Sequence, residues 1–190
     1  MNKTRIFAAV LAVSGALLAT KAGAQTAPPT GAQTAPPTGA QTGAPTVELV
    51  ETQGGWGLYA DTATPKQVCF VAAPPQAVEP LGANRGPIYF YVSAWPKDGV
   101  KAEPSVKVGY PIAADKGITV TIGADTFKLF AKGERGFVSE PAEEQKLIEA
   151  MKSGETALVK ATSARGTATT DTYALSGLGA ALTKMGEVCQ

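Results

Sequence analysis

Residues 88–95 read IYFYVSAW, which is the strongest strand signal in the sequence. Aromatic and β-branched residues fill this stretch, and such residues favour a pleated strand. Shorter stretches with alternating apolar residues occur on both sides of it. They predict strands at 47–51, 55–61, 67–73, 105–110, 117–123, 126–131, 136–139, 156–163 and 167–175. Many short strands separated by turn residues are typical of a β-sandwich or barrel, so the chain is predicted to be mainly β.

One or two short helices are predicted near the C-terminus. The first is expected to begin after Ser139 as its N-cap, because Glu143 and Glu144 then complement the positive end of the helix. Its buried face is predicted to be a single apolar stripe: Leu147, Ile148 and Met151. Gly154 is expected to end it in the left-handed conformation. A second helix is predicted at 177–184.

The chain before Thr46 differs in composition from the remainder. Residues 1–24 have the layout of a cleavable export signal, with basic residues, an apolar stretch and small residues ending at Ala24. The apolar stretch is too short for a transmembrane anchor. Residues 25–45 repeat QTAPPTGA and contain no charged or large apolar residue, which predicts a linker. Residues 46–190 are therefore expected to form one domain, periplasmic or secreted after cleavage near Ala24.

Composition excludes several classes of function. Residues 1–24 hold three of the 17 basic residues and none of the 16 acidic ones, so the exported chain has 14 basic against 16 acidic residues. This balance argues against a nucleic-acid partner. The sequence has no histidine, which excludes catalysis by a Ser-His-Asp triad. No metal site or other cofactor is expected, and no second apolar stretch reaches the length of a membrane span.

Cys69 and Cys189 are the only cysteines in the sequence. In an exported protein a single pair of cysteines is oxidised by default, which favours a disulfide between them. The alternative is two free, buried thiols.

Trp56 and Trp95 are the candidate residues for an interaction patch. Gly54, Gly55 and Gly57 surround Trp56 and would let a ligand approach the backbone closely. The alternative is that both tryptophans fill the core or an edge of the sheet.

The order of several short motifs resembles the invasion-associated locus B family of exported Gram-negative proteins. The motifs are GW at 55–56, VCF at 68–70, AMKSG at 150–154, DTYALSGLGAAL at 171–182 and the late Cys189. The resemblance covers residues 49–189. It implies an immunoglobulin-like β-sandwich in the periplasm or at the outer surface, and for some relatives a part in host-cell entry. It does not imply an enzyme.

Three functional hypotheses follow. The first is a non-catalytic exported envelope protein that binds a protein partner in the envelope or on a host surface. The second is a periplasmic accessory or chaperone-like module that uses a sheet edge. The third is a hydrolase that uses carboxylates or a serine without histidine. The third is the weakest, because the adjacent Glu143 and Glu144 point in different directions and the helix dipole explains them.

Removal of the linker tests the predicted boundary at Thr46. A protein that begins at Thr46 is expected to melt within about 2 °C of one that begins at Gln25, because residues 25–45 offer no large apolar side chain to a core. Thermal unfolding followed by circular dichroism measures both. A substantially lower melting temperature for the shorter protein would show that the linker packs on the domain.

Overall fold

Eleven strands and two helices account for most of residues 46–189, the part of the chain that the computed structural model describes. The predicted export signal (1–24) and linker (25–45) lie outside the described residues. The strands are β1 Val47–Gln53, β2 Trp56–Asp61, β3 Cys69–Ala73, β4 Ala77–Glu79, β5 Tyr89–Trp95, β6 Val100–Lys107, β7 Ile118–Ile122, β8 Asp125–Lys132, β9 Arg135–Phe137, β10 Thr156–Thr162 and β11 Ala168–Ala174. The helices are α1 Pro141–Ser153 and α2 Leu178–Val188.

The strands form one antiparallel sheet in the order β1-β2-β3-β5-β6-β9-β8-β7-β10-β11-β4. Strand β8 joins its two halves, because its first residues pair with β7 and its last three, Phe130 to Lys132, pair with β9. The prediction of a mainly β fold with helices near the C-terminus is confirmed. The immunoglobulin-like arrangement stays a prediction, and the continuous strand order is compatible with it.

A single core fills the space between the two halves of the sheet. Phe90 of β5 and Tyr173 of β11 meet there edge to face, with ring centroids 5.5 Å apart. Along β5, Phe90 and Val92 are buried while Tyr89 and Tyr91 are half-buried. Successive side chains of a strand point to opposite faces, so this alternation defines an inner and an outer face of the sheet.

Helix α1 begins one residue later than predicted. Its N-cap is Glu140, in extended conformation and without a capping side-chain hydrogen bond, so the prediction of Ser139 was wrong. The reason is Pro141, since a proline forces the residue before it into the extended region that an N-cap adopts. The predicted apolar stripe is confirmed by the buried residues Leu147, Ile148 and Met151.

Gly154 follows α1, and its predicted left-handed conformation was also wrong. Its φ is −81°, which is extended backbone that any residue adopts. A side chain here would instead collide with Ile122 of β7. Small size, and not handedness, is therefore what this position requires.

The largest differences from the predicted strands concern β6 and β4. Strand β6 begins at Val100 and passes through Pro104, where residue 105 was the predicted start. Strand β9 pairs only with Ser105 to Lys107, so Pro104 lies where one side of β6 has no partner, which is where a proline is tolerated. Strand β4 has three residues, too few for alternation to be recognised.

Helix α2 runs to Val188 and is longer than the predicted helix at 177–184. Leu178, Ala181 and Met185 are its buried residues. Cys189 follows immediately and forms a disulfide with Cys69 of β3, with 6.0 Å between the two Cα atoms. The bond holds the C-terminal end of the helix on the sheet.

Neither helix of the described region has the length and apolar composition to span a membrane.

Replacement of either cysteine tests the contribution of this bond. It closes a loop of 120 residues, and the loss of such a constraint on the unfolded chain typically lowers the free energy of unfolding by about 2–4 kcal/mol. Cys69→Ser, Cys189→Ser and the double variant are expected to lose the same amount in urea denaturation. Reductant should lower the stability of the wild type to that of the variants and leave the variants unchanged. Unequal losses would contradict this account.

Candidate interaction site

Trp56 belongs to the core and not to an interaction patch. Its side chain is fully buried, its ring centroid lies 6.2 Å from that of Phe90, and its indole N–H donates a hydrogen bond to the carbonyl oxygen of Ala174 at 3.1 Å. The predicted patch of Trp56 and Trp95 therefore does not form as one surface. Trp95 is half-buried at the end of β5, and a role for it in binding stays a prediction.

Gly54, close to Trp56 in the sequence, makes a contact with the protein's own backbone. Gly54 has a φ of 60°, and a Cβ atom there would lie 2.5 Å from the carbonyl oxygen of Ser176. Gly177 has a φ of 88°, and a Cβ atom there would collide with the carbonyl of Gln53. The turn before β2 thus rests directly on the turn before α2. Of the three glycines predicted to admit a ligand, Gly54 meets the backbone of the chain itself, Gly57 lies against the side chains of Tyr59 and Leu49, and a Cβ atom on Gly55 would have no non-neighbouring atom within 4 Å.

A buried ion pair joins the loop after β4 to β11. Both terminal nitrogens of Arg85 donate to the carboxylate of Asp171, at 2.7 and 2.6 Å, and its Nε donates to the carbonyl of Val108 at 3.0 Å. The two side chains are 5% and 0% exposed. Breaking a pair of this kind leaves an uncompensated buried charge, which typically costs about 3–5 kcal/mol. The pair therefore fixes this loop against the sheet.

Tyr110 extends this network. Its ring lies under the guanidinium of Arg85 at 5.1 Å, and its hydroxyl is 2.5 Å from the Thr169 hydroxyl. Burial raises the pKa of Tyr110, while the hydrogen bond to Thr169 and the charge of Arg85 act in the opposite direction. The polar groups of Arg85, Asp171, Tyr110 and Thr169 satisfy one another's hydrogen bonds, so the role of the network is best explained as structural. The sequence offered no sign of Arg85, which is 86 residues from Asp171.

The buried carboxylates of the described residues already have structural partners. Asp61 accepts hydrogen bonds from the backbone N–H groups of Ala63, Gln67 and Val68, at 2.8–3.2 Å, and Asp171 accepts from Arg85. Both therefore act as ordinary structural acceptors, and neither faces a second carboxylate as an acid–base pair requires.

The two adjacent glutamates of α1 have different surroundings. Glu143 is paired with Lys146 on the surface of the helix, at 2.7 Å. Burial raises the pKa of Glu144, with a smaller contribution from Glu103. Within residues 46–189, no three side chains of histidine, cysteine, aspartate or glutamate cluster as metal ligands would.

Strand β1 is an edge of the sheet and carries exposed apolar side chains. Val47, Leu49 and Val50 are 40%, 55% and 45% exposed. A bulge between Leu49 and Glu51 interrupts the alternation at Val50, so the strand exposes two consecutive apolar side chains. Only β2 pairs with β1, which leaves the other side of the strand without a neighbouring strand in the described sheet. Edges of this kind bind further strands unless they are blocked.

These features define a mainly antiparallel β protein. A disulfide holds its C-terminal helix on the sheet, and its edge strand β1 is exposed. The chain belongs to the Invasion associated locus B (IalB) protein family, whose model matches residues 56–186. It is similar to the crystal structure of invasion associated protein b from Bartonella henselae, with a TM-score of 0.53 and 20% sequence identity. The match covers 73% of this chain and 96% of that chain, and at this identity it shows the fold. No curated protein sequence matches the chain.

Two glycine variants test the contact between the turns. Gly177→Ala is expected to lower the free energy of unfolding by at least about 2 kcal/mol more than Gly166→Ala. The two positions have the same handedness, with φ of 88° and 87°, so both variants lose the freedom of glycine. Only at Gly177 does the new methyl group also meet backbone, since no atom lies near Gly166. Chemical denaturation measures both variants, and equal losses would mean that the contact is dispensable.

Proposed function

We propose that the protein is a non-catalytic, exported envelope protein of the IalB type that acts by binding another protein, in host-cell entry or within the envelope. Family membership supports export, because IalB proteins are exported bacterial proteins. The disulfide between Cys69 and Cys189 also suits an oxidising compartment outside the cytoplasm. The proposed location is the periplasm or the outside of the cell, after cleavage near Ala24.

The exposed edge of β1 is the observation that carries this proposal. A partner strand placed beside β1 would gain backbone hydrogen bonds together with apolar contacts to the exposed Leu49 and Val50. Glu48 and Glu51 lie on the same strand, and a bulge falls between Leu49 and Glu51. Charges and bulges are the usual devices against indiscriminate edge pairing. They favour a chosen partner over self-association.

This surface also accommodates the second functional hypothesis. A periplasmic accessory or chaperone-like module would use the same edge, and the two hypotheses differ only in the identity of the partner. A hydrolase is not favoured by these residues, because the buried carboxylates of Asp61 and Asp171 are committed to internal hydrogen bonds. The proposed means of action is therefore β-strand addition at β1.

Site-specific photocrosslinking in the living bacterium tests the proposal. A photoreactive amino acid at Leu49 is expected to yield discrete crosslinks to a second protein. Leu158 is the matched control, because it is 36% exposed but lies on β10, which has a partner strand on each side. It should yield none of these crosslinks.

Leu49→Lys and Leu158→Lys extend the comparison. Both exposed substitutions should change the free energy of unfolding by no more than about 0.5 kcal/mol. When the photoreactive amino acid is placed at a different exposed position, crosslinking to the partner should be lost in Leu49→Lys and kept in Leu158→Lys. Absence of crosslinks at Leu49, or the same crosslinks at Leu158, would contradict binding at the edge.

A further inference from the structure

Three cations lie side by side on the outer face of the sheet. The strand register places Lys107 of β6 opposite Arg135 of β9, and Arg135 opposite Lys132 of β8. Tyr89 of β5 continues the same row beyond Lys107. The row therefore crosses four adjacent strands and carries three positive charges at directly opposed positions.

Burial of the neighbouring residues fixes the face on which this row lies. Val106 precedes Lys107 and is fully buried. Gly136 follows Arg135, and a Cβ atom at Gly136 would collide with Ile118 in the core. Side chains alternate along a strand, so Lys107 and Arg135 point away from the core. Lys132 is exposed, and the side chain of Lys107 is 28% exposed. Solvent and a ligand can therefore reach the row.

The charges of the row are poorly neutralised within the protein. Like charges at directly opposed positions on neighbouring strands destabilise a sheet. Glu134 approaches Lys107 at 3.8 Å, and within the described residues neither Arg135 nor Lys132 forms an ion pair. The guanidinium of Arg135 lies 4.7 Å from the centre of the Tyr91 ring. The sheet thus keeps an unfavourable concentration of positive charge that an anion would relieve.

A band of aromatic side chains lies beside the cation row. Tyr59 and Phe70 stack at 5.0 Å, Phe70 meets Tyr91 at 5.8 Å, and Phe137 meets Phe130 at 5.9 Å. Phe130 is 48% exposed, and the other four are half-buried. A single serine separates the two parts of the band, because Ser105 lies between Tyr91 and Phe137 in the register. The outer face thus combines cations, aromatic edges and a broad sheet surface.

We infer that this outer face, the cation row with its aromatic band, binds an anionic polysaccharide. Carboxylate or sulfate groups of the polymer would pair with Lys107, Arg135 and Lys132, because guanidinium and ammonium groups donate strong hydrogen bonds to such anions. The C–H groups of the sugar rings would pack against the exposed ring of Phe130. An extended chain of charged sugars matches a site that crosses several strands.

A nucleic acid fits this face less well. Bases stack on open ring faces, but Tyr59 and Phe70 stack on each other and Arg135 covers Tyr91. The exported chain has 14 basic against 16 acidic residues, so its long-range field attracts neither polyanion, and binding depends on the local row of cations. The cation row, on β6, β9 and β8, is separate from the edge of β1 on which the proposed function rests, so the variants of the row test it independently.

Heparin is the probe for this inference, with the protein purified after export. Heparin binding measured by calorimetry at low salt is expected to weaken as salt is added. The triple variant Lys107→Gln, Arg135→Gln, Lys132→Gln should bind at least about tenfold more weakly. The control triple variant Lys116→Gln, Lys146→Gln, Lys152→Gln changes the net charge equally on other surfaces and should bind within about twofold of the wild type.

Two further variants keep the test informative if the triple variant is unstable. Lys132→Gln changes one exposed side chain and should weaken heparin binding about threefold. The charge-retaining variant Lys107→Arg, Arg135→Lys, Lys132→Arg should keep most of the affinity. Neutral dextran should not bind, and single-stranded DNA of matched charge and vesicles of phosphatidylglycerol should bind more weakly than heparin.

Several outcomes would overturn the inference. They are no heparin binding by the wild type at low salt, an equal loss in the control triple variant, and tighter binding of the DNA or the vesicles. Crosslinking from Leu49 should be unchanged in the triple variant. The two surfaces can therefore fail separately.

Discussion

The contact between the turn at Gly54 and the turn at Gly177 is the constraint on which the rest of the structure depends. Backbone meets backbone there, with no room for a side chain on either glycine. The hydrogen bond from the indole of Trp56 to Ala174 lies beside it. Together they hold the first strands of the domain against the end of β11. Helix α2 can then lie across β1 to β3 and bring Cys189 to Cys69.

The same arrangement explains why binding is expected at the surface. The inner face of the sheet is filled by one core, and its buried charges, Arg85 and Asp171, satisfy each other. The edge at β1 and the outer face with Lys107, Arg135 and Lys132 are both open to solvent. The edge offers backbone and apolar groups, as a protein strand requires, and the outer face offers charge. One fold thus presents two chemically different surfaces.

Local patterns in the sequence predicted much of the fold. The alternation at 88–95 gave β5, and the stripe of Leu147, Ile148 and Met151 gave α1, because both depend on residues close in the chain. The disulfide could be expected since only two cysteines exist. The helix starts one residue later than the predicted Ser139 cap, because Pro141 favours extended backbone at Glu140.

Features that depend on distant residues could not be read in this way. Trp56 and Gly54 suggested a binding surface, because no residue close to them in the sequence shows that Ala174 and Gly177 contact them. The pairing of Arg85 with Asp171 and the opposition of Lys107, Arg135 and Lys132 exist only once the strand order is known. Sequence periodicity assigns a residue to a face, but the register decides which residues on that face are neighbours.

Hydrogen exchange of the two tryptophan indole N–H groups, followed by NMR, tests the central contact most directly. The Trp56 N–H is buried and bonded to Ala174, so it should exchange only when the whole domain unfolds, with an opening free energy equal to that from denaturation. The half-buried Trp95 provides an internal reference and should exchange much faster. Exchange of Trp56 as fast as that of Trp95 would show that the two turns separate in the native state, and would contradict the account.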